Sequence, residues 1–141
     1  MGVPYPYGVF RVLLVPGNFP YGGMENPLLT FYSAALLTDT KAISYEIIHL
    51  IALQWTGNLV TMSNWADFWL NEGFATFIER QISSRLYGLD YAKTEAMVGN
   101  NTLLADTVEF GFDSTLSTLH PVFEGKNPEI SRSSVPFEKG F

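Results

Sequence analysis

Apolar residues come first in short runs and later at helical spacing. Phe10 to Val15 reads F-R-V-L-L-V, aliphatic and β-branched, which predicts a strand. Three prolines and three glycines between Pro16 and Pro27 force an irregular loop. Leu28 to Leu37 predicts a second strand, with Phe31 and Tyr32 on opposite faces. Lys41 to Trp55 predicts a buried helix, with Thr38-Asp39-Thr40 offering N-cap candidates. Ser63-Asn64 opens another helix, with Asp67 in a capping-box position; a break is expected near Gly73 and a stop at Gly88. Asp90 to about Asp106 predicts a third long helix, with Ala92, Ala96 and Leu103 along one stripe. Thr107 to Ser134 reads as loop, and Val135 to Phe141 as the first turns of a helix, an ending that predicts a partial chain. Trp55, Trp65, Trp69, Phe74 and Phe77 are expected in the core. A strand region followed by helices makes the fold class α+β and mostly helical, in a single domain over residues 1–141.

Composition narrows the function classes. At 141 residues and 47% hydrophobic, the chain is long enough for one packed core. The net charge is −6 and no Lys/Arg cluster occurs, so no nucleic-acid partner is expected. The absence of cysteine excludes disulfides, thiolate metal sites and thiol catalysis. The opening Met1-Gly2-Val3-Pro4-Tyr5-Pro6 has no basic start and no apolar run, unlike a signal peptide. The longest apolar stretch, Ala42 to Trp55, is interrupted by Glu46 and His49 and is shorter than the roughly 20 residues a bilayer needs. No membrane partner is expected, and the compartment expected is cytoplasmic.

Three segments carry chemistry: Tyr21-Gly22-Gly23-Met24-Glu25-Asn26-Pro27; Gln54-Trp55-Thr56-Gly57-Asn58 leading to Trp69-Leu70-Asn71-Glu72-Gly73; and Ser133-Ser134-Val135-Pro136-Phe137-Glu138-Lys139-Gly140. In this order and spacing the chain resembles the gluzincin zinc aminopeptidases of the leukotriene A-4 hydrolase and aminopeptidase B type. The resemblance runs over nearly the whole chain. It implies part of a thermolysin-like metallopeptidase catalytic domain, with the family's N-terminal β domain and C-terminal helical domain absent. It also implies zinc as cofactor and peptides as substrates.

The family's zinc motif is H-E-x-x-H on one helix with a glutamate on the next. Two histidines at i and i+4 share a helix face and reach one metal, and the glutamate between them serves as general base. Aligned without gaps, that motif falls on His49-Leu50-Ile51-Ala52-Leu53, and the distal glutamate on Glu72, nineteen positions after Leu53. His49 and Glu72 are then the surviving metal ligands, while the general base is Leu50 and the second histidine Leu53. A rival frame, Tyr45-Glu46-Ile47-Ile48-His49, requires an extra turn before Trp55. A substitute site of Glu46, His49 and Glu72 is conceivable in the ungapped frame, although Glu46 ordinarily reads as a solvated or capping carboxylate. The tyrosine that helps hold the oxyanion in the family is here Phe137, which donates no hydrogen bond, and Arg132 stands where close relatives carry another tyrosine. Glu25 is intact. The resemblance assigns it the free α-amine of the substrate, with Gly22 and Gly23 letting the peptide approach.

The expected function is therefore an inactive or severely impaired relative of a zinc aminopeptidase, with zinc binding in doubt. Alternatives are a non-catalytic module that binds peptide N-termini through Glu25, or an active enzyme with an altered metal site. Association with the missing family domains or with an intact relative is a further expectation. A direct pairing of His49 with Glu72, with Leu50 and Leu53 filling the space of the lost polar groups, is expected because a buried carboxylate needs a partner.

Overall fold

The computed structural model describes residues 2–38, 40–123, 125, 127, 128 and 133–141, and the side chains of its first long helix from residue 43 onward. Asp39 of the expected cap and Arg132 lie outside the described residues. The chain begins with a three-stranded sheet of order β1-β3-β2. Strand β1 (Val12–Val15) runs parallel to β3 (Thr30–Ser33), pairing Val12 with Thr30 and Val15 with Ser33. Strand β2 (Gly23–Met24) pairs antiparallel with β3, Gly23 opposite Tyr32. The segment expected to be wholly irregular, Pro16 to Pro27, thus contains a strand, because the two paired residues satisfy their backbone groups on β3. The strand expected over Leu28 to Leu37 is shorter, since Ala34–Thr38 tightens into a 3₁₀ turn. As expected, Phe31 and Tyr32 alternate between faces: Tyr32 is buried and Phe31 half-buried.

Helix α1 (Thr40–Leu53) continues into a wider π-type turn, Gln54–Leu59, kinked at Thr56. Asn64 caps a separate short 3₁₀ turn, Trp65–Asp67, its side chain accepting from the Ala66 backbone at 2.9 Å. Asp67 accepts from the Asn64 side-chain amide at 2.6 Å, so the pair closes a local turn and the helix proper starts later. Helix α2 (Trp69–Tyr87) runs unbroken through Gly73, contrary to the expected interruption. It ends at Gly88, whose φ of 96° suits a residue without a Cβ. Helix α3 (Leu89–Phe110) extends past the expected Asp106 and stops before Gly111.

The reason Gly73 does not break α2 lies in packing. A Cβ at Gly73 would sit 2.7 Å from the carbonyl carbon of Gly140, so the missing side chain lets the C-terminal π-type turn, Val135–Lys139 with Gly140, lie against the helix. Helix α2 is central, packed on α1, on α3 and on this turn. Its buried face carries Glu72, Ala75, Thr76, Glu79, Arg80 and Ser83, at helical spacing. The opposite face turns outward, and this corrects the expected aromatic core. Phe74 and Phe77 are about half exposed at 52% and 46%, and Trp65 is exposed as well. Trp55 and Trp69 are half-buried. The apolar core is instead Tyr32, Leu50, Ala52, Leu53 and Ala75, with Phe10, Leu36, Ile47 and Ile78 packed around it. Among the described residues, no helix is long and apolar enough to cross a membrane.

Arg80 fastens the C-terminal turn to α2 through a 2.5 Å bond from Nη2 to Glu138, both side chains nearly buried, with its guanidinium carbon 4.1 Å from the centre of the Phe141 ring. Removing one member of such a pair strands the other charge. Glu138→Ala is therefore expected to lower unfolding free energy by about 3–5 kcal/mol in urea titrations. Lys93→Ala, which breaks an exposed 3.3 Å pair with Asp90, should leave the midpoint in place.

Candidate active-site cleft

A cavity of about 850 Å³ opens between β2, α1, the start of α2 and the C-terminal turn. Its walls bring together Gly22, Gly23 and Glu25 from the first segment, Glu46, His49, Leu50 and Leu53 from α1, Glu72 from α2, and Phe137. These nine residues, Glu46 of the conceivable substitute site among them, share one cleft.

His49 is its fixed point. The ring is nine-tenths buried and lies between two carboxylates of α2. Its Nε2 stands 3.0 Å from Glu72 Oε2 and its Nδ1 2.8 Å from Glu79 Oε2. Burial alone would push the imidazole down. The hydrogen bonds and charges of Glu72 and Glu79 outweigh it and hold His49 up at about 10, so both ring nitrogens carry protons at neutral pH and donate. The expected pairing of His49 with Glu72 is present. Glu79, fully buried, was not singled out from the sequence, although it lies seven residues after Glu72 and hence on the same helical face. Tyr45 stacks on the imidazole at 6.4 Å and 4°, and Phe137 lies over it at 5.9 Å.

Leu50 and Leu53 are almost wholly buried and line the cleft floor beside this cluster. The Leu50 side chain presses against the backbone of Gly23, where any Cβ would collide with it. Glu46 lies beside the same edge: a Cβ on Gly22 would come within 2.8 Å of its carboxylate. Glu46 is thus half-buried in the cleft, which corrects its reading as a solvated or capping group; burial, with Glu72 nearby, pushes its carboxyl up while His49 pulls the other way.

Glu25 is positioned through its main chain. Its carbonyl accepts from Gln54 Nε2 at 2.9 Å and from Asn58 Nδ2 at 2.5 Å. Gln54 is fully buried, and its Nε2 also donates to the Leu50 carbonyl at 3.2 Å while its Oε1 accepts from Asn58. The π-type turn therefore holds the Glu25 loop with two side-chain amides. Neither was assigned this role from the sequence, where they served only as part of a recognisable motif. Burial pushes the Glu25 carboxyl up, with Glu72 and Glu46 adding to the effect and His49 opposing it.

Comparison with known proteins fits this arrangement. The model of the peptidase family M1 domain matches residues 1–141, and the chain belongs to that family. It is 44% identical over 139 residues to leucine aminopeptidase 2 of Aspergillus oryzae and 42% identical over 138 residues to leukotriene A-4 hydrolase of Xenopus laevis. Each comparison covers 98% of this chain but only 22% and 23% of the relative. The structure of yeast LTA4 hydrolase in complex with bestatin superposes with a TM-score of 0.89 at 35% identity, over 97% of this chain and 22% of that one. The chain thus spans about a fifth of the length of the relatives it matches.

The family implies zinc, and the donor set can be tested against it. One half fits: an imidazole backed by a carboxylate on Nδ1, with a second carboxylate beside Nε2, is how a histidine ligand is oriented. The other half does not, because the side chains that complete this wall are the hydrocarbons of Leu50 and Leu53. Among the described residues no three His, Cys, Asp or Glu side chains are grouped to hold a metal ion, and this includes the conceivable set of Glu46, His49 and Glu72.

Because His49 holds a fully buried carboxylate, His49→Ala is expected to destabilise the chain by about 3–5 kcal/mol. Glu79→Gln, which keeps a hydrogen-bond acceptor at the ring, should cost less than that. Thermal and urea unfolding of the two variants would check the order.

Proposed function

We propose that this chain is a peptidase family M1 segment that retains recognition of a peptide N-terminus and lacks the groups that hydrolyse it. The observation that carries the reading is the placement of Leu50 and Leu53 in the cleft floor next to His49 and Glu72. A hydrolytic zinc site uses three protein ligands and a water, with a general base at hand. Here the position of the base and the position of the second imidazole carry no donor atom.

The recognition half rests on groups that are present. A peptide N-terminus brings a cation, and the cleft offers Glu25, with Glu46 and Glu72 close enough to raise its carboxyl. Strand β2 is at the edge of the sheet, paired with β3 alone among the described residues, and an edge strand is the kind of element to which a peptide backbone adds. Gln54 and Asn58 hold the Glu25 loop, so that the carboxylate is set before ligand arrives. Phe137 closes the cleft as an apolar wall and, lacking a hydroxyl, cannot donate to an oxyanion. The segment is read as part of one catalytic domain of a longer family member, so its partners include the remaining family domains.

Zinc titration by calorimetry, alongside a Leu50→Glu/Leu53→His chain, tests the loss. The expected result is no stoichiometric zinc in the chain and one zinc per molecule in the repaired form. Tight zinc binding by the unrepaired chain, lost on Glu72→Ala, would overturn the reading. For recognition, Glu25→Gln should weaken binding of an unblocked dipeptide by roughly 10–100-fold, the worth of a hydrogen bond to a charged group. Chelator should leave that binding unchanged.

A further inference from the structure

Strand β1 stands at one edge of the sheet, paired with β3 alone among the described residues. The Arg11 carbonyl accepts from the Thr30 amide at 2.9 Å, so Arg11, Leu13 and Val15 turn their backbone groups toward β3. By the alternation of a strand, Val12 and Leu14 turn theirs away from it. The side chains are apolar on both faces and exposed, Val12 at 53%, Leu13 at 42% and Leu14 at 48%. A strand parallel to its neighbour is ordinarily covered on both faces. Nor does β1 carry the features that keep an edge from pairing: Val12–Val15 has no charge, no proline and no bulge in its register with β3.

Charge and area narrow what pairs with it. All 14 acidic residues lie from Glu25 onward, in a chain of net charge −6, so the segment before Glu25 carries Arg11 and no carboxylate. A second copy of this acidic chain therefore meets least like charge at β1. On α3, by contrast, the exposed Val108 adjoins the exposed Glu109, and two copies meeting there would set carboxylates against one another. The chain exposes 8465 Å² at 15.8 kDa, whereas a compact monomer of that mass exposes about 7,300 Å². The surplus of roughly 1,100 Å² exceeds the ~800 Å² that each partner buries in a standard interface.

We propose that two copies of this chain associate edge to edge through β1, joining their sheets into one across a two-fold axis. The antiparallel register that uses the outward backbone groups of both copies pairs Val12 with Leu14 of the second copy, and Leu14 with its Val12. Leu13 then faces its own counterpart at the axis, in a position without hydrogen bonds where the Cα atoms approach to about 4.5 Å. No residue of β1 lines the cleft, so the association does not depend on the reading of peptide recognition.

Because the sequence has no cysteine, Leu13→Cys places a single thiol at the axis. Sedimentation velocity should show dimer replacing monomer as concentration rises through the micromolar range. Leu13→Cys should oxidise to a linked dimer where Val108→Cys does not, since about 4.5 Å lies within the Cα separation a disulfide spans. Leu13→Lys sets two cations together at the axis and should weaken association roughly 10-fold or more. Val108→Lys should leave association unchanged, and circular dichroism should show both lysine variants folded, because each replaced side chain is exposed. A chain that stays monomeric at every concentration would overturn the proposal, leaving the edge to a strand of another polypeptide. So would a dimer that Leu13→Lys leaves intact, or one that does not cross-link through Leu13→Cys. Loss of the dimer in Val108→Lys would place the contact on α3 and overturn it equally. Should Leu13→Lys unfold the chain, cross-linking of Leu13→Cys decides alone.

Discussion

The imidazole of His49, held between Glu72 and Glu79, is the constraint on which the arrangement turns. It joins α1 to the first turn and to the middle of α2, at two points on one helical face about two turns apart, and both carboxylates are buried. A buried carboxylate is tolerated only with a partner, so the register of the two helices is set by electrostatics as much as by packing. The core beside it is small, five buried apolar side chains flanked by four others. The buried face of α2 is mostly polar, and its satisfaction depends on partners from α1 and the C-terminal turn.

How much of this was legible in the sequence depends on the length scale. The long helices followed from periodicity and from Gly88, because both signals are local. The unbroken passage of α2 through Gly73 was not legible, since the reason is a contact with Gly140, nearly seventy residues away in the chain. The outward turn of Phe74 and Phe77 failed for a similar cause. An aromatic residue in a short helical stretch reads as core, and only the position of α2 between two other helices shows which face is inside. Strand β2 escaped because two paired residues leave no pattern against a background of glycine and proline.

The candidate site was more legible than the fold, because its residues belong to motifs with fixed spacing. Gly22, Gly23, Glu25, His49, Leu50, Leu53, Glu72 and Phe137 do share one cleft. What spacing could not convey was support. Glu79 behind the imidazole, and Gln54 and Asn58 behind the Glu25 carbonyl, act on groups far from them in sequence. Glu46 shows the opposite limit. Its residue type suggested solvent, and only the side-chain-free edge of Gly22 and Gly23 makes room for it inside.

The two leucines in the cleft floor also shape how such a chain could change. A carboxylate introduced at position 50 alone would enter a pocket that already holds Glu25, Glu46 and Glu72, and like charges at close range oppose it. An imidazole at position 53 alone would meet a ring that is already protonated. Each step taken singly meets a local cost, while the two together with a metal would offset one another. Positions 50 and 53 are therefore coupled: the same singly changed floors lie between the hydrocarbon form and a polar one in either direction, so the two side chains exchange most readily as a pair.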